Sequence, residues 1–181
     1  MRIISGKYKG LNLVSFKAEH IRPTTDRVKE SQFNIIQNSL DGSRVLDLFA
    51  GTGNLGIEAL SRGAREVFFV EQNRKSIAII EENIKKLKIT EPYKIIARDV
   101  IAFLASYTGE PFDVIFADPP FTEKMAHDVM LAAAQSKIWG EGSLLTIESG
   151  RKEKIEEDYG TVSRYDVREF GDKYLSFFKL K

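Results

Sequence analysis

Asp118-Pro119-Pro120-Phe121 sets a carboxylate, two conformationally restricted carbonyls and an aromatic ring on four successive residues. The prolines hold the backbone extended and fix where the carboxylate and carbonyls point. Such a set suits a planar exocyclic amine, whose lone pair is delocalised into its ring and must be turned outward before it can attack an electrophilic carbon in line. Acceptors at Asp118 and the Pro119 carbonyl would take the two amino protons and stabilise the charge that develops on nitrogen. Phe121 would stack on the base, an interaction worth about 1–3 kcal/mol, comparable with unstacking a base already in a loop. Taken alone, the same tetrapeptide serves equally as a turn with Phe121 packed in a core.

A second chemical signal is Asp47-Leu48-Phe49-Ala50-Gly51-Thr52-Gly53-Asn54-Leu55-Gly56, which joins an apolar run to a helical pattern through a tight glycine turn. Glycine permits positive φ and lacks the Cβ that would strike a ligand, and the helix start beyond it offers unpaired N–H groups. Gly51, Gly53 and Gly56 spell G-x-G-x-x-G, and Glu71, with Gln72 beside it, follows the next strand where ribose hydroxyls would donate. A turn of this kind also serves plain packing. Asp47 shifts the balance, because an acidic residue at the end of the first core strand suits the cationic amino group of a methionine moiety and repels the pyrophosphate of a dinucleotide. Charge therefore favours S-adenosylmethionine over NAD. In Arg98-Asp99-Val100 the carboxylate would accept from an adenine amino group and Val100 would donate its N–H, while a helix-cap role for Asp99 is equally compatible. The candidate cofactor residues are Asp47, Phe49, Ala50, Gly51, Thr52, Gly53, Glu71, Gln72, Asp99 and Val100; the candidate catalytic residues are Asp118, Pro119 and Phe121.

Something must bring these segments to one place. From residue 45 onward, apolar runs at 45–49, 67–71, 94–97, 114–117 and 144–148 alternate with helical patterns at 55–61, 76–87, 100–107 and 124–134. That alternation predicts parallel strands joined by right-handed crossover helices, a doubly wound, Rossmann-like α/β sheet. Every motif residue then falls at the carboxyl ends of strands, where open α/β sheets bind ligands. The runs 162–170 and 174–180 are separated only by Gly171-Asp172-Lys173, too short for a crossover helix, so the sheet should end in an antiparallel strand. Ahead of residue 45, segments 2–4 and 11–14 flank a Gly/Lys-rich turn as a small basic hairpin would. Arg22-Pro23-Thr24-Thr25-Asp26 then precedes an apolar pattern at Val28, Phe33, Ile36 and Leu40, a helix capped by Thr25 or Asp26. Residues 1–44 are thus expected to form an RNA-facing extension, and residues 45–181 the catalytic domain.

Bulk properties narrow the classes. A chain of 181 residues that is 43% hydrophobic can bury a sizeable core as one domain with a small appendage. No stretch approaches the roughly 18 apolar residues of a membrane span, and the start lacks the apolar region of a signal peptide, so a cytoplasmic protein is expected. The absence of cysteine excludes disulfides and thiol nucleophiles, and His20 and His127 do not make a zinc spacing, so no metal is expected. A net charge of +1 conceals an asymmetry: residues 1–44 hold eight Lys/Arg against four Asp/Glu, the remainder 19 against 22. The basic start suits a polyanionic partner, although such a bias is also ordinary for a solvated surface. P-loop, G-x-S-x-G and H-E-x-x-H motifs are missing.

Arg2-Ile3-Ile4-Ser5-Gly6-Lys7, Arg22-Pro23-Thr24-Thr25-Asp26-Arg27-Val28-Lys29-Glu30, Asp47-Leu48-Phe49-Ala50-Gly51-Thr52-Gly53 and Asp118-Pro119-Pro120-Phe121 together resemble the RsmD-like methyltransferases over nearly the whole chain. The second block is the most specific to that family. The resemblance implies a class I methyltransferase sheet in the order 3-2-1-4-5-7-6 with strand seven antiparallel. It implies S-adenosyl-L-methionine as cofactor and methyl transfer to the N2 amine of guanine 966 of 16S ribosomal RNA, within small-subunit assembly intermediates. Arg2, Lys7, Lys9, Arg22 and Arg27 would then touch RNA phosphates or close over the cofactor. Against the family pattern, Ser5 stands where Gly is common and Lys29 where Arg is common. Other readings remain open: a methyltransferase acting on adenine N6 of DNA or RNA or on a protein amide, an NAD-dependent oxidoreductase, and a noncatalytic RNA-binding domain.

Overall fold

Arg44-Val45-Leu46-Asp47-Leu48 is largely apolar on both sides of the pleat, and it forms β1 (Arg44–Leu48), buried along its length in the middle of a seven-stranded sheet. The computed structural model describes residues 1–15, 26–120 and 125–181. The other strands are β2 (Glu66–Val70), β3 (Tyr93–Ile96), β4 (Phe112–Ala117), β5 (Trp139–Gly150), β6 (Val162–Phe170) and β7 (Lys173–Leu180), in the order β3-β2-β1-β4-β5-β7-β6. Strands β1 to β5 run parallel, and β7 is antiparallel to both β5 and β6. The order, the direction of the last strand and the doubly wound architecture are those expected from the sequence.

Among the described residues five helices, α1 (Asp26–Ile35), α2 (Asn54–Ser61), α3 (Arg74–Leu87), α4 (Val100–Ser106) and α5 (Ala126–Gln135), cover the two faces. One apolar layer joins Val28 and Phe33 of α1, Leu55 and Ile57 of α2 and Ile80 and Ile84 of α3 to the sheet; the other joins Phe103 of α4 and Met130 of α5 to Leu46, Leu48 and Phe178. Local chemistry starts and stops the helices. Asn73 caps α3 by accepting from the N–H groups of Lys75 and Ser76, and Lys88 ends it in the left-handed region at φ 53°. Helix α2 is buried throughout because sheet and N-terminal residues enclose it.

The N-terminal residues form a narrow hairpin with a single antiparallel bridge, Arg2 to Asn12, and main-chain bonds from Ile3 N–H to the Leu11 carbonyl (3.0 Å) and from Gly10 N–H to the Ile3 carbonyl (2.8 Å). Its apolar residues Ile3, Tyr8 and Leu13 belong to the same layer as α1, α2 and α3. At the tip, Gly6 (φ 84°) sits so close to the end of α2 that a Cβ would lie 1.7 Å from the Ser61 carbonyl oxygen, which accepts from Lys7 N–H at 2.7 Å.

Two element boundaries differ from the periodicity by several residues. Helix α1 stops at Ile35, and the expected continuation to Leu40 is a 3₁₀ turn at Gln37–Ser39, because Asn38 and Ser39 compete poorly for helix. Strand β5 begins at Trp139, ahead of the expected 144, since Gly140 and Gly142 lack the side chains that reveal alternation. Among the described residues no helix is long and apolar enough to cross a membrane.

Candidate cofactor and active site

Register pairs align Val70, Leu48, Ala117 and Ile147 side by side across β2, β1, β4 and β5. One residue further on stand Glu71, Phe49, Asp118 and Glu148, so the carboxyl edge of the sheet presents three carboxylates around the start of the glycine turn. The Asp118 N–H reaches toward the Leu48 carbonyl at 3.5 Å, and its side chain is half-buried. Pro119 is buried and Pro120 exposed; Phe121 lies outside the described residues. At the end of β5, Glu148 is buried and accepts from Lys173 Nζ at 3.0 Å.

The turn from β1 to α2 is held in a demanding conformation. Phe49 has φ 60°, Gly51 55° and Gly53 80°. A left-handed non-glycine residue costs of order 1–3 kcal/mol and persists only where its surroundings determine it. Here Ala50 N–H donates to the Val70 carbonyl (3.1 Å), Gly51 N–H to Glu71 Oε2 (2.9 Å) and Gly53 N–H to the Ala50 carbonyl (2.7 Å). The Thr52 carbonyl accepts from Asn83 Nδ2 at 3.0 Å. The glycines divide their work. A Cβ on Gly51 would meet nothing nearer than the Phe49 carbonyl oxygen at 3.8 Å, so its open side faces free space. A Cβ on Gly56 would lie 2.2 Å from Phe69 Cε1, so that glycine exists for the packing of α2 on β2.

Asp47 is 1% exposed, and its Oδ2 accepts from Gly56 N–H at 2.8 Å. Burial pushes its carboxyl up to about 8, the Gly56 bond opposing and the negative charges of Asp118 and Glu71 adding to the rise. Asp47, Glu71 and Asp118 therefore share one electrostatic field. Glu71 Oε1 also accepts from Asn73 N–H at 2.7 Å, so its carboxylate ties the glycine turn to the start of α3. Asp99 caps α4, accepting from Ala102 N–H at 2.9 Å, Val100 is the buried first residue of that helix, and Gln72 is exposed. Among the described residues no group of three or more His, Cys, Asp or Glu side chains is arranged to hold a metal ion.

The basic residues singled out in the sequence do not gather. Arg2 Nε pairs with Asp26 Oδ2 at 2.9 Å, and Arg27 is exposed in the first turn of α1. Lys7 and Lys9 sit at the hairpin tip, against the far end of α2; eight residues at 1.5 Å each put them about 12 Å from the glycine turn. There Lys7 Nζ binds Glu91 Oε1 (2.6 Å) and the Tyr8 hydroxyl donates to Glu91 Oε2 (2.6 Å). Against the effect of burial, these partners hold the Glu91 carboxyl down to about 2. Arg22 and His20 lie outside the described residues. His127 is half-buried, its Nδ1 3.1 Å from the Tyr159 hydroxyl.

Polar residues that sequence reasoning passed over hold this arrangement together. Lys29, 1% exposed, donates to the Arg2 carbonyl (2.6 Å) and Asn54 Oδ1 (2.8 Å) and lies 3.1 Å from Glu58. Glu58 also accepts from Ile4 N–H (2.8 Å), Ser5 N–H (3.0 Å) and Arg62 Nε (2.8 Å). Their signal was present: Glu58 stands among Leu55, Ile57, Ala59 and Leu60, and Asn83 between Ile80, Ile84 and Leu87, polar residues inside apolar stripes.

Residues 1–179 match the family described as Conserved hypothetical protein 95. The Bacillus subtilis protein YlbH is 35% identical over 181 residues, 99% of this chain and 98% of its own. The ribosomal RNA small subunit methyltransferase D of Haemophilus influenzae is 34% identical over 157 residues, 86% of this chain and 81% of that protein. The solved structure of YhhF from Escherichia coli superposes with a TM-score of 0.88 at 27% identity, covering 100% of this chain and 98% of that one.

Proposed function

Since this chain belongs to the Conserved hypothetical protein 95 family, we propose that it transfers a methyl group from S-adenosyl-L-methionine to the N2 amine of a guanine in 16S ribosomal RNA. The observation that carries this reading is the adjacency of Asp118 to the glycine turn, close enough for its charge to raise the Asp47 carboxyl. When bound, the cofactor supplies an electrophilic methyl group on a sulfonium. Its sulfonium and ammonium outweigh its one carboxylate, a net positive charge that suits an edge built from Asp47, Glu71 and Asp118. A dinucleotide pyrophosphate would meet repulsion there, which disfavours NAD.

The residues fit the cofactor as they stand. The open side of Gly51 admits close approach, Glu71 keeps lone pairs for ribose hydroxyls beyond its two main-chain donors, and Asp99 and Val100, at the start of α4, would receive an adenine edge. Phe49, Ala50, Thr52, Gly53 and Gln72 complete the cradle. Asp118 and the Pro119 carbonyl would orient the amine, with Phe121 stacking on its base. We read residues 1–44 as the RNA-facing extension of a catalytic domain at 45–181: its apolar side joins the core, while Arg2, Arg27 and Lys9 remain outward. The partner on this reading is ribosomal RNA within cytoplasmic small-subunit assembly intermediates.

Cofactor affinity should depend on pH with a definite sign. Without ligand, Asp47 keeps its proton until about pH 8. A cation nearby favours the ionised form, so binding below that pH must expel the proton and affinity should rise with pH, levelling off above about 8. Calorimetric titration with S-adenosylhomocysteine, which lacks the sulfonium but keeps the ammonium, in buffers of different ionisation enthalpy would read the released proton at pH 7. In an Asp47→Asn protein the release should vanish.

Nucleoside mass spectrometry of RNA and DNA from a deletion strain tests the reaction itself. Loss of one N2-methylguanine from small-subunit RNA, restored by the wild-type chain, is expected. Loss of a methyladenine instead, or no change in ribosomal RNA, would overturn the assignment.

A further inference from the structure

Asn83 lies at 0% exposure in the stripe of α3 that packs on the sheet, between Ile80, Ile84 and Leu87. A buried amide requires partners, and this one finds them in main chain far away in sequence. Its Oδ1 accepts from Val14 N–H at 2.6 Å, and its Nδ2 donates to the Val14 carbonyl at 3.0 Å and to the Thr52 carbonyl at 3.0 Å. One side chain thus pairs with the end of the N-terminal hairpin as a neighbouring strand would, and also holds the peptide that links Thr52 to Gly53. That peptide lies between two residues, Gly51 and Gly53, that have positive φ and no side chain to fix their conformation. What bonds its carbonyl therefore sets how the turn's N–H groups point.

We propose that Asn83 is a positioning residue that couples the seating of residues 1–15 to the shape of the cofactor turn, so that docking of the N-terminal hairpin and binding of the cofactor strengthen one another. The inference rests on the cofactor reading given above and extends it to a segment outside the motif. Lys29 and Glu58 also hold the hairpin, but they grip it against α2, at Asn54 and the helix flank, and leave the carbonyls of the turn alone. Cutting the Asn83 link should therefore leave the hairpin docked and abolish its communication with the turn.

Hydrogen exchange and calorimetry on the full chain, with S-adenosylhomocysteine as probe, test this. In the wild type the probe should slow exchange in residues 10–15 as well as at Thr52 and Gly53. Asn83→Asp keeps the acceptor for Val14 N–H and turns the donor side into an oxygen facing two carbonyls; Val14→Pro removes the Val14 donor and fixes φ there, at a half-buried position outside the turn. Both should bind the probe about tenfold more weakly, the loss of one buried hydrogen bond, and lose the probe-dependent protection of residues 10–15 while retaining the circular dichroism of the parent. Unchanged affinity and protection in Val14→Pro would overturn the coupling, even if Asn83→Asp failed to fold. So would a wild type that binds the probe with no slowing at residues 10–15. A wild type that does not bind the probe at all would take down the cofactor reading and this inference together, which separates the two failures.

Discussion

Asp118→Ala should slow methyl transfer by about two to three orders of magnitude while changing S-adenosylhomocysteine affinity only a few-fold. The asymmetry follows from position. Asp118 stands one residue past the Ala117–Leu48 register pair, beside the turn but not within it, so the main-chain bonds that shape Gly51 and Gly53 survive its loss. On the proposed reading, what disappears is an acceptor for the amino protons at the moment positive charge builds on nitrogen, an interaction stronger in the transition state than in the ground state. Removing one negative charge also eases ionisation of Asp47, which offsets part of the lost attraction for the ligand's ammonium group. Asp118→Asn, which keeps one acceptor oxygen, should fall between the two. Single-turnover transfer to small-subunit particles, with calorimetry on the same samples, separates the effects; full turnover in the alanine protein would remove Asp118 from the reaction.

Glu58→Ala should be the most damaging single change to stability, at about 3–5 kcal/mol. Glu58 is fully buried, and its carboxylate receives Lys29, Arg62 and the N–H groups of Ile4 and Ser5. Burial already presses the Lys29 ammonium below its ordinary pKa, with Glu58 as the chief opposing influence. Without the acid, an uncompensated cation and two main-chain donors remain in the interior. The pair need not be favourable in absolute terms, because two charges were taken from water to make it. A joint Lys29→Met, Glu58→Leu replacement should recover much of the loss. Urea unfolding of the wild type and the two variants measures this, and a deficit below about 1 kcal/mol for Glu58→Ala would show that solvent reaches the pair.

These two residues illustrate what could be read in advance. The place of Asp118 at the carboxyl end of β4 was legible because the prolines after it and the apolar run before it are local signals, and open α/β sheets bind ligands at that edge. Glu58 stood in plain view as an acid within an apolar helix, yet apart from Arg62 at i+4 its partners come from residues 4, 5 and 29, and no local pattern names those. Asp99 was left between two roles, and the geometry shows at least one of them, the helix cap. Lys7 and Lys9 looked equivalent to Arg2 as basic residues near the start; a hairpin folding back along α2 carries them to the opposite end of that helix.

By itself the sequence determined the strand, turn and helix units, the antiparallel ending of the sheet and the set of residues at its carboxyl edge, because side-chain period and turn chemistry act over a few neighbours; the strand order came from the resemblance to a known family. Only the tertiary structure decided that Asp47 is sealed and proton-holding, that Asn83 fastens the N-terminal hairpin to the glycine turn while Lys29 fastens it to α2, and that Lys7 and Lys9 lie at the far end of α2 from that turn. Those outcomes depend on burial and on contacts across 25 to 69 positions of chain, which packing alone creates.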